Sequence, residues 1–215
     1  MKKISPKVFT ERLLKEYAGE ICHLDWDKNR PWTLLFAVIL SAQCTDKRVN
    51  MVTPHLFREF PDLESYVARP VEEIQSIIRS TGFFRSKAKA LKGSAEKMLL
   101  EFKGQVPDTM EGLTSLPGVA RKTANVILWN IYEKNEGFVV DTHVGRIARR
   151  TGLTNEKNPI KVEKDLMKQL PRNHWGEMSH MLVQFGRDTC KAPVPNCSEC
   201  FFNDICPQKG VTRSR

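Results

Sequence analysis

Residues 116–141 read LPGVARKTANVILWNIYEKNEGFVVD. Leu116-Pro117-Gly118-Val119 is a sharp turn, because Pro117 ends any helix before it and Gly118 can take a φ that other residues resist. A helix is expected from about Val119. Ala120, Ala124, Ile127, Leu128 and Ile131 make one apolar face, and Lys122, Val126 and Trp129 share a second. Lys122 therefore falls in the first turn of a helix expected to be well buried. Burial and the positive end of the helix dipole both disfavour an ammonium there, and a neutral amine is a nucleophile. A lysine at a helix start ordinarily extends into solvent. The turn before this one changes the reading. A Pro-Gly hairpin between two helices leaves backbone N–H groups at the second N-terminus, where a phosphate can sit. A nucleophilic lysine beside a phosphate site points to chemistry on nucleic acid.

The 215 residues can bury a real core, as one domain or two small lobes. Hydrophobic content of 40% with mixed charge reads as globular. The formal net charge of +9 favours a polyanionic partner; no basic amphipathic anchor appears, so nucleic acid fits better than a membrane. Charge alone is equally compatible with a basic surface that has no partner. Met1-Lys2-Lys3 is followed by no apolar core, and the Leu34–Leu40 run is far too short to cross a bilayer. The expected location is cytoplasmic.

The apolar positions repeat with helical period along the chain, and no strand alternation or internal repeat is visible. The expected fold is all-α with about ten helices. Ser5-Pro6, Thr45 and Asn158-Pro159 read as helix starts, whereas Gly19, Gly82, Gly104, Gly152 and Gly186 read as helix ends. One helix is expected from Ser86, and the first helix of the hairpin over Thr109–Leu116.

Four of the six cysteines crowd near the C-terminus as Cys190-x6-Cys197-x2-Cys200-x5-Cys206. That spacing reads as ligation rather than as a disulfide framework, and four thiolates could hold Zn²⁺ or a [4Fe–4S] cluster. Cys22 and Cys44 read as ordinary buried thiols. Asp141 precedes a helix and can cap it, which contributes about 1 kcal/mol. An ionised carboxylate there could also stabilise developing positive charge.

The Leu116–Ala124 hairpin, followed by Val140-Asp141-Thr142-His143-Val144, resembles the helix-hairpin-helix and Gly/Pro–Asp signature of DNA base-excision glycosylases, most closely the endonuclease III family. Leu40-Ser41-Ala42-Gln43 with Thr45-Asp46 and the four C-terminal cysteines extend the resemblance over about residues 5–208. It implies two lobes: a six-helix barrel over residues 22–134, with the hairpin at about 109–131, and a discontinuous helical lobe of 1–21 and 135–215 that carries a [4Fe–4S] cluster loop at 190–206. A DNA cleft lies between the lobes of that family's fold.

The resemblance further implies a bifunctional N-glycosylase and abasic-site lyase. It would remove oxidised pyrimidines from duplex DNA and nick the abasic site 3′ to the lesion through a Schiff base on Lys122, with Asp141 as the catalytic aspartate. The expected partner is duplex DNA containing damaged pyrimidines or abasic sites, bound by a monomer. DNA contacts carry over to Leu116, Gly118, Ala120, Arg121 and Thr123 of the hairpin, to Gln43, and to Lys191. Lys191 is the lone basic residue between the first two cluster ligands. Phe83, in Gly82-Phe83-Phe84, stands where the family often has a leucine wedge; a core phenylalanine is the competing reading. Ala120 replaces a common second glycine of the hairpin, and a helical φ suits it. Two rivals remain: a monofunctional thymine or adenine mismatch glycosylase, which Lys122 argues against, and a non-catalytic cluster-bearing DNA-binding module, which would need neither Lys122 nor Asp141.

Overall fold

The fold is given by a computed structural model that describes residues 4–19 and 22–215; Met1-Lys2-Lys3 lies outside the described residues. Among these, every regular element is helical. Eleven α-helices are joined by short turns, with 3₁₀ turns at Arg79–Thr81 and Arg172–His174. None is long and apolar enough to cross a membrane. The chain divides into two compact units, Cys22–Tyr132 and Met1–Ile21 with Glu133–Arg215.

The contiguous unit holds α2 (Trp32–Ser41), α3 (Asp46–Glu59), α4 (Leu63–Ala68), α5 (Val71–Ile78), α6 (Phe84–Glu101), α7 (Met110–Thr114) and α8 (Arg121–Tyr132). Helix α2 is apolar on every side and all but Ser41 is buried, so it is the axis of this core. Trp32, Phe36, Phe57, Phe60 and Tyr66 pack their rings around its first turns. Thr45 caps α3 by accepting from the Arg48 N–H, and Asp62 caps α4 through the Ser65 N–H. Lys92 of α6 donates to the carbonyls of Val67 and Arg69 at the end of α4, which lack intrahelical partners.

The discontinuous unit holds α1 (Pro6–Tyr17), α9 (Thr142–Arg150), α10 (Pro159–Gln169) and α11 (Trp175–Asp188). Phe9 of α1 stacks on Phe202 with ring centroids 5.0 Å apart, and Arg12 donates to the Phe201 carbonyl. Both ends of the chain thus meet in this core. Asn158 caps α10 as expected, accepting from the N–H groups of Ile160 and Lys161. Ser5 stands at the start of α1, but its hydroxyl makes no capping bond.

Several ends differ from expectation. Gly186 does not end the last helix, which continues to Asp188. A Cβ at Gly186 would lie 2.6 Å from His143 Nδ1, so this glycine serves the close crossing of α9 and α11. Helix α6 starts at Phe84 rather than Ser86, and α8 at Arg121 rather than Val119. The Pro117-Gly118 turn is longer than the apolar period suggested, and it is seated on α6. Gly118 has φ +78°, and a Cβ on it would stand 2.8 Å from the Ala90 Cβ. A Cβ on Gly93 would be 3.1 Å from Pro117 Cγ, and buried Ser94 donates to the Pro117 carbonyl at 2.9 Å.

Gly118→Ala meets both a left-handed φ and a methyl collision with Ala90, so it should cost about 2 kcal/mol or more. At this chain length thermal unfolding should fall by about 4–8 °C. Adding Ala90→Gly should recover only the part due to the collision. An unchanged melting temperature in Gly118→Ala would mean that the turn is not held against α6.

Candidate functional site

In the contiguous unit, the hairpin is built from α7, the turn and α8. Thr109 caps α7 by accepting from the Gly112 N–H. Leu116 and Val119 are buried and anchor the turn, whereas Pro117 and Gly118 between them and Ala120 after them are exposed. The Ala120 carbonyl accepts the first bond of α8 from Ala124, at 2.9 Å. Ala120 is therefore the residue flanking the helix, and it carries no side-chain oxygen to cap the N–H groups of Lys122 and Thr123. Its φ is not positive, so a second glycine is not required there.

Lys122 is exposed, not buried. The buried face runs through Ala124, Asn125, Ile127 and Leu128 as expected, but the second face, which Lys122 shares with Val126 and Trp129, is only half-buried, and its first turn is exposed. The burial expected of this side chain is therefore not found, and its place in the first turn of α8 is. Arg121 beside it is exposed and Thr123 half-buried.

Two more expected residues sit on turns of this unit with unusual backbones. Gln43 has φ 52° and Phe83 has φ 47°, both left-handed positions that a side chain disfavours. Gln43 follows α2 and is exposed. Phe83 is 63% exposed and flanks α6, so it is not a core residue; Phe84 packs against the core instead. Cys22 and Cys44 are half-buried free thiols against the same core. Burial pushes the Cys22 thiol up. Lys87 was not singled out by its sequence position, yet it is 5% exposed and its Nζ donates to the carbonyls of Leu40 and Thr81. Burial lowers its pKa, with Cys44 opposing.

In the discontinuous unit, Asp141 caps α9. Its Oδ1 accepts from the Val144 N–H at 2.8 Å. The second oxygen, Oδ2, takes no part in that bond. Thr142 is exposed, and His143 Nδ1 lies 3.2 Å from Arg146 Nη2.

The four C-terminal cysteines are half-buried and none is in a disulfide. Burial and then the neighbouring Cys190, Cys206 and Cys197 push the Cys200 thiol up to about 11. Burial also raises Cys206. The four sulfurs thus feel one another. Among the described residues, no three His, Cys, Asp or Glu side chains are grouped so as to hold one metal ion. Two buried or half-buried arginines of α9, four residues apart, clamp this loop and were not evident beforehand. Arg146 Nε donates to the Cys190 carbonyl at 3.0 Å and Nη2 to the Gly186 carbonyl at 2.9 Å. Arg150 Nη1 donates to the Lys191 carbonyl at 2.7 Å and lies 3.4 Å from Cys190 Sγ. The Phe202 N–H approaches Cys200 Sγ at 3.5 Å. Cationic and N–H donors facing the sulfurs suit thiolate ligands. Lys191 itself is exposed.

Residues 36–172 match the model of the HhH-GPD superfamily base excision DNA repair proteins. Endonuclease III of Synechocystis sp. is 48% identical over 195 residues, covering 91% of this chain and 88% of that protein. The chain belongs to the endonuclease III family. Endonuclease III of Bacillus subtilis is 41% identical over 188 residues, covering 87% of this chain and 85% of its own length. The solved structure of a trapped endonuclease III–DNA covalent intermediate, an estranged-adenine complex, superposes with a TM-score of 0.88 at 36% identity, covering 95% of this chain and 96% of that one. Family and fold thereby extend over nearly the whole chain, both units included.

Proposed function

We propose that this member of the endonuclease III family is a base-excision repair enzyme in which Lys122 is the nucleophile and Asp141 the catalytic carboxylate, acting as a monomer on duplex DNA that contains oxidised pyrimidines or abasic sites. Membership of the family makes it a DNA glycosylase and abasic-site lyase. The observation that carries the residue assignment is a lysine in the first turn of α8, directly after the exposed Pro117-Gly118 turn.

The chemistry then follows from the residues. The unprotonated Lys122 amine attacks C1′ of the damaged nucleotide. The C1′–N bond to the base breaks, and the base leaves with the bonding pair and takes up a proton. The C1′–O4′ bond opens and an imine forms between Lys122 and C1′. The protonated imine draws electrons, so the C2′ proton becomes acidic; its removal expels the 3′ phosphate and breaks the strand. The Asp141 carboxylate stabilises positive charge at the sugar as the base departs and supports the proton transfers of the reaction. A lysine that only removed bases would have no need of the imine, which is why residue 122 argues against the monofunctional relatives.

Reaching C1′ inside a duplex requires extruding the nucleotide, at a cost of a few kcal/mol. Gln43 and Phe83 are the side chains we assign to the vacated space: both are exposed, and Phe83 offers an aromatic face to the bases. Leu116, Gly118, Ala120, Arg121 and Thr123 form the phosphate-binding hairpin, and Lys191 adds a single cation. The exposed turn and an N-terminal helix residue without a capping side chain support that assignment.

Cys190, Cys197, Cys200 and Cys206 fit a [4Fe–4S] cluster by donor chemistry. Such a cluster takes one thiolate per iron, so its ligands need not converge on one point. When bound, it supplies organisation to the loop; Arg146 and Arg150 orient the loop from α9.

Borohydride reduction with a duplex containing thymine glycol tests the assignment. The wild type should give a covalent protein–DNA adduct, and Lys122→Gln should reduce it by about a hundredfold or more while still binding DNA. Efficient trapping by Lys122→Gln would remove Lys122 as the nucleophile. Asp141→Asn should slow single-turnover base release by about a hundredfold, and an unchanged rate would reduce Asp141 to a helix cap. Cys200→Ser should lose iron, sulfide and the visible absorbance of the cluster; a fully loaded variant would contradict its role as ligand.

A further inference from the structure

Lys87 has no part in the chemistry above, yet it is the buried ammonium of its unit. It lies in the first turn of α6, four residues after Phe83. Its Nζ donates to the Leu40 carbonyl at 2.8 Å and to the Thr81 carbonyl at 2.7 Å. Leu40 is in the last turn of α2, where carbonyls lack intrahelical partners and the helix dipole is negative. Thr81 ends the 3₁₀ turn of Arg79–Thr81 and is itself buried. Three residues after Leu40 comes Gln43, and two after Thr81 comes Phe83. One ammonium therefore ties together the two segments that present these side chains.

Burying a lysine is costly unless its donors are used, and here they answer two carbonyls that an apolar side chain would leave unsatisfied. What the ammonium adds is a fixed spacing between two turns that are remote in sequence. Both turns need such a constraint, because each ends in a non-glycine residue with positive φ. Backbone strain of this kind persists only where the surroundings enforce it. The Phe83 carbonyl is also engaged, accepting from the Lys87 N–H at 3.0 Å and from Ser86 Oγ at 2.9 Å.

We propose that Lys87 is a positioning residue that holds the Gln43 and Phe83 turns at a fixed separation, so that both side chains enter the duplex as one unit when a nucleotide is extruded. This rests on the reading of Gln43 and Phe83 as the residues that fill the vacated space. It assigns Lys87 to base extrusion rather than to the lysine chemistry at residue 122.

The test compares two substrates that differ in the need for extrusion: a duplex with thymine glycol and a single strand with one abasic site. Lys87→Met keeps most of the side chain's length and removes both hydrogen bonds. The ratio of its single-turnover rate on the duplex to that on the single strand should fall about tenfold relative to wild type. In a Gln43→Ala, Phe83→Ala background, Lys87→Met should lower that ratio by less than about twofold further, because its route of action is already gone. Lys87→Gln, which retains an amide donor, should fall between wild type and Lys87→Met, and it carries the test if Lys87→Met does not fold. 2-Aminopurine opposite the lesion should lose its binding-induced fluorescence change in the variant that is used. An unchanged ratio, or a loss of equal size in the wild-type and double-alanine backgrounds, overturns the proposal. A wild-type protein inactive on both substrates would instead overturn the glycosylase and lyase reading. A double-alanine variant with the wild-type ratio would overturn the assignment of Gln43 and Phe83.

Discussion

The Pro117-Gly118 turn has no space beneath it. Gly118 takes φ +78° with Ala90 so close that even a methyl group would collide, and Gly93 and Ser94 of α6 receive Pro117 on either side. This contact sets where α8 begins and therefore where its first turn points. The place of the exposed turn follows from a glycine seated on α6. Rigid placement of a reactive group on a helix is what precise attack requires, and here the rigidity comes from backbone packing rather than from bonds to the lysine.

Buried and half-buried cations hold the rest in place by answering orphaned carbonyls. Lys87 and Lys92 do this from α6, and Arg146 and Arg150 do it from α9. Each satisfies oxygens that a helix end or an irregular loop leaves without partners, where an apolar side chain would leave them unsatisfied. The excess of Lys and Arg in this chain therefore divides into two populations. Some face solvent, where a polyanion can meet them; others are internal fasteners that contribute nothing to that attraction.

Helices were legible from local pattern because their stripes repeat every three to four residues: α2 as an apolar run, α3 and α10 through their caps at Thr45 and Asn158. The hairpin and cysteine motifs were legible for the same reason, since each is a short contiguous word. Lys122 was readable as a residue but not in its environment, because the apolar pattern gives a helix its faces but not how far a second face is covered, and here Val126 and Trp129 are only half-buried. Gly186 was misread because a glycine needed for positive φ and one needed for a close crossing look identical in sequence. Phe83 and Phe84 were indistinguishable until the turn showed which ring faces out. Lys87, Arg146 and Arg150 were hidden because their partners are carbonyls, and a backbone carbonyl has no letter.

The two units also differ in how the chain supplies them. Cys22–Tyr132 is one unbroken segment, whereas the other unit needs α1 to find Phe201 and Phe202 near the far end. On a ribosome the unbroken unit can complete its core while the C-terminal third is still unmade. Helix α1 must meanwhile wait with Phe9 and Leu13 unpaired, closing a loop of nearly the full chain length. Assembly of the cysteine loop thus comes after the unbroken unit is complete, and the apolar face of α1 is the segment that a nascent chain most needs to have shielded until then.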